Sequence, residues 1–419
     1  MKVIVAHPGK QHSFRLASAM QKAGLLHSYV TEIYDKKSSV MMKFIKKLLN
    51  KSNLKRANAH YNPDLKESQV VQFCEFGGFI ELLLNRLDKS MKLYRRFSSY
   101  NTDRFGLKLA KYAIKNDVDM VIGYDADSTI CFKYLKEHAP HIIRVLDVSI
   151  AARPYMKDLF QKEVTQSGLT YAKDENIYLW QRPLERYYSE IRDADYFFVA
   201  SDFVRDSLLY CGVESNRILK VPYGANISSD ILIKEANPTT PLIIQFVGQT
   251  NARKGMPLLL DCISSMDSNR FQLVVTGGYN PQSPYIAKHL DDENIKFTGF
   301  VTHDQMQKIY EDADIFVLTS IAEGMALVGI EAMACGLPVI CTYGSGLSDL
   351  IIEGETGFVV PYGDETALKE KLEWFYVHKD RIKTMGERAR QVAMEFSWKK
   401  YEENIVKIVL KINELNNKQ

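Results

Sequence analysis

Two pairs of charged residues in the second half of the chain have the types and spacing to hold an anionic, hydroxyl-bearing ligand. One pair is Glu323 and Glu331, eight positions apart in "TSIAEGMALVGIEAMACGLPVICTYGSGLSDLIIEGETGFVVP" (319–361). The other is Arg253 and Lys254 in "VGQTNARKGMPLLLD" (247–261). The apolar run between the glutamates, stopped by Gly336 and Pro338, predicts a helix through "ALVGIEAMA" after the strand "IFVLTS". The first turn of such a helix carries unpaired backbone N–H groups and the positive end of the dipole, so a phosphate is its natural occupant. Gly324 lets a backbone approach closely there. If every intervening residue is helical, the two glutamates stand about 12 Å apart. That suits a ligand with a diphosphate in the middle and hydroxyls at both ends, which is the form of a nucleotide sugar. In isolation the same pair also reads as a helix-surface glutamate and an N-terminal charge, and its surroundings decide between the two.

The elements that must position these residues are legible as short aliphatic or β-branched runs, each followed by a loop and a helical pattern. They are "KVIVA" (2–6), "MVIGY" (120–124), "IIRVLDV" (142–148), "YFFVAS" (196–201), "LIIQFVG" (242–248), "FQLVVTG" (271–277), "IKFTGF" (295–300), "IFVLTS" (315–320) and "PVICT" (338–342). Continuous apolar strands alternating with helices predict parallel sheets covered on both faces, an α/β, doubly wound class. At 419 residues the chain is long enough for two such units. The proline- and glycine-bearing stretch "VPYGANISSDILIKEANPTTP" (221–241) reads as the link between them. An internal echo supports two like units: "IRDADYFFVASDF" (191–203) and "YEDADIFVLTSIA" (310–322) share a helix end, an Asp-Ala-Asp triplet and an aromatic strand. A third triplet, Asp125-Ala-Asp127, follows "MVIGY". Metal ligation and a turn-forming role before a strand are both open to these triplets, and the second needs no ligand.

Residues 319–361 resemble the retaining family-4 glycosyltransferases of GT-B fold, in which a strand end is followed by EGxGLxxxEAMACGxPVI. The resemblance covers roughly residues 190–400 and extends weakly into the first part of the chain. It implies two Rossmann-like domains facing a central cleft: residues 1–222 for the acceptor, with a basic insert at 36–112, and 239–395 for the nucleotide-sugar donor. It also implies a C-terminal helix, 396–419, that crosses back to the first domain. By position, Glu323 corresponds to the glutamate beside the donor-sugar hydroxyls and Glu331 to the one on the ribose. Gly324, Met325, Ala326 and Leu327 then belong to the donor site, with Ala326 standing where the family usually has glycine. Lys254 matches the lysine that clamps the diphosphate. The usual arginine directly after Gly248 is Gln249 here, so Arg253 is the candidate for the second cation. Gly299 and Val301 fall in the loop whose backbone meets the nucleobase. Fixed cations can neutralise leaving-group charge, so the resemblance requires neither a metal nor a cofactor.

The first loop, "HPGKQHS" (7–13), has one glycine and a lysine followed by glutamine, so it is neither a dinucleotide fingerprint nor a Walker sequence. In GT-B enzymes this loop faces the cleft, which makes Gly9 a candidate phosphate contact. His7, Lys10 and His12 are candidates for donor or acceptor contact and equally for ordinary loop polarity. Many relatives carry a cleft histidine after a middle strand of the first domain. Here "RVLDVSIAARP" (144–154) offers Asp147, a candidate sugar contact or a structural residue at a strand end. No residue reads as a general base, and the resemblance implies a front-face mechanism in which the departing phosphate takes the acceptor proton.

The net charge is +3 for the whole chain, but residues 36–112 hold 17 Lys/Arg against 6 Asp/Glu, a local net of +11. Within "VMMKFIKKLLNKSNLKR" (40–56), apolar residues recur at helical spacing opposite lysines, the pattern of an amphipathic basic helix. A second cluster comprises Lys89, Lys92, Arg95, Arg96 and Arg104. An ordinary solvated face and an anionic membrane surface contacted through 40–56 and 89–104 are the competing readings, and nucleic acid lacks a matching module. No apolar run approaches the length of a membrane span and the first residues lack a secretory pattern, so a cytoplasmic location is expected, peripheral at the inner face of a membrane if the basic segments bind lipid. The six cysteines show neither CxxC pairs nor a neighbouring histidine ladder, the pattern of reduced thiols. The functional expectation is a UDP- or GDP-sugar transferase acting on a glycan or lipid-linked acceptor in envelope or capsular polysaccharide synthesis. The alternatives are an epimerase or hydrolase of the same architecture and a non-catalytic sugar-nucleotide-binding partner.

Overall fold

The computed structural model describes residues 1–10, 12–36, 60–166, 184–227, 231 and 233–416. The amphipathic helix expected over 40–56 lies outside the described residues.

The first lobe holds β1 (Val3–Ala6), α1 (Ser13–Lys22), β2 (Leu26–Thr31), β3 (Val70–Gln72), α2 (Glu75–Leu87), α3 (Lys92–Lys115), β4 (Met120–Tyr124), α4 (Thr129–His138), β5 (Ile143–Val148), α5 (Arg153–Gln166), α6 (Leu184–Asp193), β6 (Tyr196–Val199), α7 (Asp202–Tyr210) and β7 (Ile218–Lys220). The second holds β8 (Leu242–Val247), α8 (Met256–Ser264), β9 (Phe271–Thr276), α9 (Pro284–Ala287), β10 (Ile295–Gly299), α10 (His303–Asp312), β11 (Ile315–Leu318), α11 (Leu327–Ala334), β12 (Val339–Thr342), β13 (Gly357–Val360), α12 (Glu365–Val377) and α13 (Lys379–Ala393). The sheets run β3-β2-β1-β4-β5-β6-β7 and β10-β9-β8-β11-β12-β13. Every ladder is parallel, and the strand order reverses beside β1 in one lobe and β8 in the other. Ligands of open parallel sheets bind outside the carboxyl ends of strands at such a reversal. The inner strands are almost wholly buried because helices cover both faces, which is why they read as unbroken apolar runs, while the edge strands β3, β7 and β10 are buried at their first residue alone.

The Asp-Ala-Asp echo has a structural cause. Asp195 precedes β6 and its carboxylate accepts the backbone N–H of Arg144 on β5 at 2.8 Å. Asp314 precedes β11 and accepts that of Ile243 on β8, also at 2.8 Å. In both lobes the same residue extends the ladder by one bond beyond the strand start, and Arg144 closes an ion pair with Asp195 at 2.6 Å.

The last helix, α14 (Trp398–Asn416), returns to the first lobe and packs on α1. Lys22 pairs with Glu402 at 2.7 Å, Arg15 lies over the Trp398 ring at 5.2 Å, and Asn416 donates to the Tyr196 hydroxyl at 3.2 Å. A glycine sets the crossing: a Cβ on Gly224 would stand 2.3 Å from the Trp398 nitrogen. Ala225 donates to the Phe396 carbonyl at 2.9 Å beside it.

Just beyond β2, Glu32 is buried and accepts from the Asn101 amide at 2.8 Å. Burial, then the neighbouring Glu81 and Asp127, push its carboxyl up to about 9. Between its ordinary range and pH 9 the folded chain therefore holds a proton at this site that the unfolded chain has lost, so stability falls as pH rises through that window. Glu32→Gln keeps the acceptor for Asn101 and cannot ionise. Thermal unfolding followed from pH 5 to 9 is expected to show the variant matching the parent at pH 5 and exceeding it at pH 8.5; parallel curves would contradict the assignment.

Candidate active site

After β8 the chain makes a single tight turn, Ala252–Lys254, before α8. Asn251 caps it by accepting from the Lys254 N–H at 3.1 Å. Gly255 ends it at φ +73°, and a Cβ there would stand 1.8 Å from the Thr319 carbonyl oxygen. That near-contact brings the turn against the end of β11. Ile321 N donates to the Arg253 carbonyl at 2.8 Å, and Thr319 Oγ1 donates to the Gly255 carbonyl at 3.0 Å.

This seam sets the charged side chains on one another. Glu323 Oε1 accepts from Arg253 Nη1 at 2.6 Å and from Lys254 Nζ at 2.7 Å. Arg253 Nη1 also reaches the Ala322 carbonyl at 2.8 Å. The three side chains are 19%, 13% and 12% exposed, in the order Arg253, Lys254, Glu323. Two cations sharing one carboxylate in a largely desolvated setting leave a net positive site, and charge effects are stronger there than in water. A diphosphate is a chemical match for it.

The helix expected after the loop is α11. It starts at Leu327, with Ala326 as an extended N-cap whose side chain can cap nothing, and Gly336 follows it at φ +80°. The 12 Å separation of Glu323 and Glu331 fails in its premise, because Glu323 lies outside the helix, on the loop between β11 and α11. Glu331 sits half-exposed on α11, where Tyr310 of α10 places its hydroxyl 3.4 Å from Oε2 and 3.2 Å from the Val328 carbonyl. Burial, then the Glu331 charge, raises the Tyr310 phenol well above its usual range.

At Gly324 the close approach in this structure is made by the opposite lobe. A Cβ on it would stand 2.0 Å from the Ser149 carbonyl oxygen of the first lobe, and Ser201, the N-cap of α7, donates to its carbonyl at 2.6 Å. Met325 and Ala326 are 6% and 3% exposed beneath this contact. The lobes are joined alongside by Asp349, which accepts from the Asp202 N–H at 2.9 Å and pairs with Lys220 at 3.1 Å.

Other donor-side candidates lie at the carboxyl ends of β8, β9 and β10. Gly248 donates to the Thr276 carbonyl, and Gly277 donates to the Gly299 carbonyl, both at 2.9 Å. Gln249 is exposed and Val301 half-buried.

The first lobe contributes a second cluster. Asp147, buried at the end of β5, accepts from His12 Nε2 at 3.1 Å and faces the Tyr223 hydroxyl at 3.4 Å. The His12 ring stands between Tyr124 and Tyr223, with centroids at 5.1 and 4.3 Å. His7 accepts from the Gly9 N–H on Nδ1 at 2.8 Å. Burial, then the neighbouring His12, holds it down to about 4, so at neutral pH it is uncharged with its proton on Nε2. Gly9 is thereby tied to His7, and its carbonyl lies 3.4 Å from Thr31 Oγ1. Thr319, Tyr310 and Tyr223 have no motif to announce them; Asn251 and Gly255, flanking the Ala252–Lys254 turn, carried only a local turn signal for their roles.

The model of the family "Glycosyl transferases group 1" matches residues 229–392, most of the second lobe. An uncharacterized glycosyltransferase of Methanocaldococcus jannaschii is 30% identical over 186 residues, covering 44% of this chain and 51% of that protein. The alignment thus spans about half the length of that relative. The N-acetyl-alpha-D-glucosaminyl L-malate synthase of Bacillus anthracis is 25% identical over 297 residues, covering 69% and 73%. Among solved structures, the sucrose-phosphate synthase of Thermosynechococcus elongatus superposes with a TM-score of 0.66 at 17% identity over 99% of this chain and all of that one. The Anabaena protein HepE, solved with UDP, gives 0.61 at 13% identity, covering 98% of this chain and 100% of that one. The fold is GT-B, two parallel-sheet lobes of seven and six strands.

Gly255→Ala tests the seam. A side chain at positive φ and an overlap at 1.8 Å with Thr319 are expected to destabilise the fold by about 2 kcal/mol or more, read as a lowered urea midpoint. An unchanged midpoint would show that the turn is not held against β11 as described.

Proposed function

We propose that the chain is a retaining, metal-independent glycosyltransferase that moves a sugar from a UDP- or GDP-linked donor to a glycan or lipid-linked acceptor. The observation that carries this reading is the Arg253–Lys254–Glu323 trio at the carboxyl edge of the second sheet. Relatives support the setting: a putative glycosyltransferase of Salmonella typhimurium is named for colanic acid biosynthesis and one of Staphylococcus aureus for capsular polysaccharide biosynthesis. An envelope polysaccharide pathway, worked from the cytoplasmic face of a membrane, fits both.

In this reading Lys254 and Arg253 bind the diphosphate and stabilise the charge that develops as the C1–O bond to phosphate breaks. Glu323, its Oε1 already engaged by both cations, orients sugar hydroxyls and is a poor nucleophile. Glu331 takes the ribose hydroxyls, and the backbone at Gly299 and Val301 takes the base. Gly248, Gln249, Gly9, and the loop Gly324–Leu327 complete the donor side. The Asp147–His12 pair faces the acceptor. The acceptor oxygen bonds to C1 on the face the phosphate leaves, and its proton passes to the departing phosphate oxygen. Admission of the donor requires the Gly324–Ser149 contact to part, with the lobes moving about residues 221–241.

Donor consumption, measured with and without added acceptor, tests this reading. A transferase consumes donor only with acceptor, an epimerase or hydrolase consumes it alone, and a binding partner consumes none. Lys254→Ala and Glu323→Gln are each expected to lower kcat/KM by about 100-fold or more. Intact mass spectrometry during turnover is expected to show no glycosyl adduct. An adduct on Glu323 or Asp147 would establish a double displacement instead.

A further inference from the structure

Helix α2 is built inside out. Of its thirteen residues only Gly77 and Gly78 are buried. A Cβ on Gly77 would stand 2.0 Å from Asn101 Oδ1, and one on Gly78 would stand 2.9 Å from Glu32 Oε2. Glu81 joins this inner side by accepting from the Asn101 amide at 3.0 Å. The helix therefore meets the body of the lobe through glycines and a carboxylate, a contact that fixes its rotation. Its large apolar side chains are left pointing outward: Phe76 is 72% exposed, Leu83 55% and Leu87 69%. With the half-buried Ile80 these recur at intervals of four, three and four, a single stripe along the helix. Leu93, 65% exposed in the first turn of α3, extends the stripe past the connection.

The same connection is basic. Residues 86–96 carry Arg86, Lys89, Lys92, Arg95 and Arg96 against one acid, Asp88. Lys89, Lys92 and Arg96 are exposed. Asp88 is engaged within the turn, accepting from the Ser90 N–H at 3.1 Å and the Tyr94 N–H at 3.0 Å, which holds the end of α2 and the start of α3 in place.

We propose that this α2–α3 corner is the surface by which the protein docks on anionic lipid, with Phe76, Leu83, Leu87 and Leu93 entering the interfacial layer and Lys89, Lys92 and Arg96 meeting lipid phosphates. A second copy of the chain would bring like-charged corners together, and a nucleic acid would leave the leucines in water. An anionic membrane is the partner that satisfies both the apolar stripe and the cations around it. The inference deepens the reading of a peripheral enzyme and names the residues that would insert, while its physical basis is separate from the transferase chemistry.

The test uses the full chain and extruded vesicles of phosphatidylglycerol and phosphatidylcholine (one to two) against pure phosphatidylcholine, in a sedimentation assay without donor or acceptor. Binding is expected to favour the anionic vesicles by tenfold or more and to weaken with added salt. The pair Leu83→Ser and Leu87→Ser should lower binding at every salt concentration. The triple Lys89→Glu, Lys92→Glu, Arg96→Glu should lower it most at low salt. All five residues are solvent-facing, so unchanged melting temperatures certify that the variants are folded. Equal partitioning of parent and variants would overturn the proposal. So would a dimer in sedimentation equilibrium that the leucine variant disperses, since that assigns the stripe to a second copy. Either outcome leaves the donor-consumption result untouched, so the two readings fail separately.

Discussion

The site depends on one constraint: two cations on consecutive residues are held against one carboxylate seventy positions away. Neither Arg253 nor Lys254 reaches Glu323 by virtue of its own rotamer alone. The turn that carries them is held to β11 by the absence of a side chain at Gly255 and by two hydrogen bonds across the seam. A buried carboxylate without partners would carry a heavy desolvation cost, and so would two adjacent buried cations. Together they form a small positive cradle whose geometry exists before any ligand arrives. Preorganisation of this kind lets fixed charges stabilise a transition state without reorganising as the reaction proceeds.

Around the cradle the two lobes are arranged by glycines and short polar residues. Gly324 admits the Ser149 carbonyl, Gly224 admits the start of α14, and Ser201 spends its hydroxyl on a carbonyl of the opposite lobe. Beside these contacts a small apolar cluster spans the lobes, Phe160 and Phe203 of the first packing with Ile321 and Ala322 of the second. The Asp147–His12 pair and the Arg253–Lys254–Glu323 trio lie at the carboxyl edges of different sheets, one per lobe. Sugar transfer between a donor on one lobe and an acceptor on the other needs both edges to face a shared space.

Much of the architecture was legible in the residues. All nine apolar runs became strands, trimmed by at most two residues at their ends, because buried parallel strands leave an unbroken hydrophobic signature. Four strands lie outside those runs. β3 and β7 are only three residues long, β2 is interrupted by His27 and Ser28, and β13 follows a glycine turn inside a stretch read for its loop chemistry. At the site, Glu323 and Lys254 were legible because local motifs carry them. The His12–Asp147 pairing was not, since the partners are 135 residues apart and meet only through the sheet order. For Gly324 the sequence shows that a close approach is permitted and not what approaches, which in this structure is the Ser149 carbonyl. The outward stripe of α2 was hidden for a similar reason. An amphipathic pattern has no sign until the packing of Gly77 and Gly78 shows which face is turned in.

The most direct test of the central claim is a crystal structure of the protein soaked with UDP or GDP, whichever gives the larger thermal shift. The account predicts the diphosphate within hydrogen-bonding distance of Lys254 Nζ, on the second lobe, with Glu323 still held by Arg253. A nucleotide bound elsewhere, with the Arg253–Lys254–Glu323 trio undisturbed and solvent-filled, would contradict it.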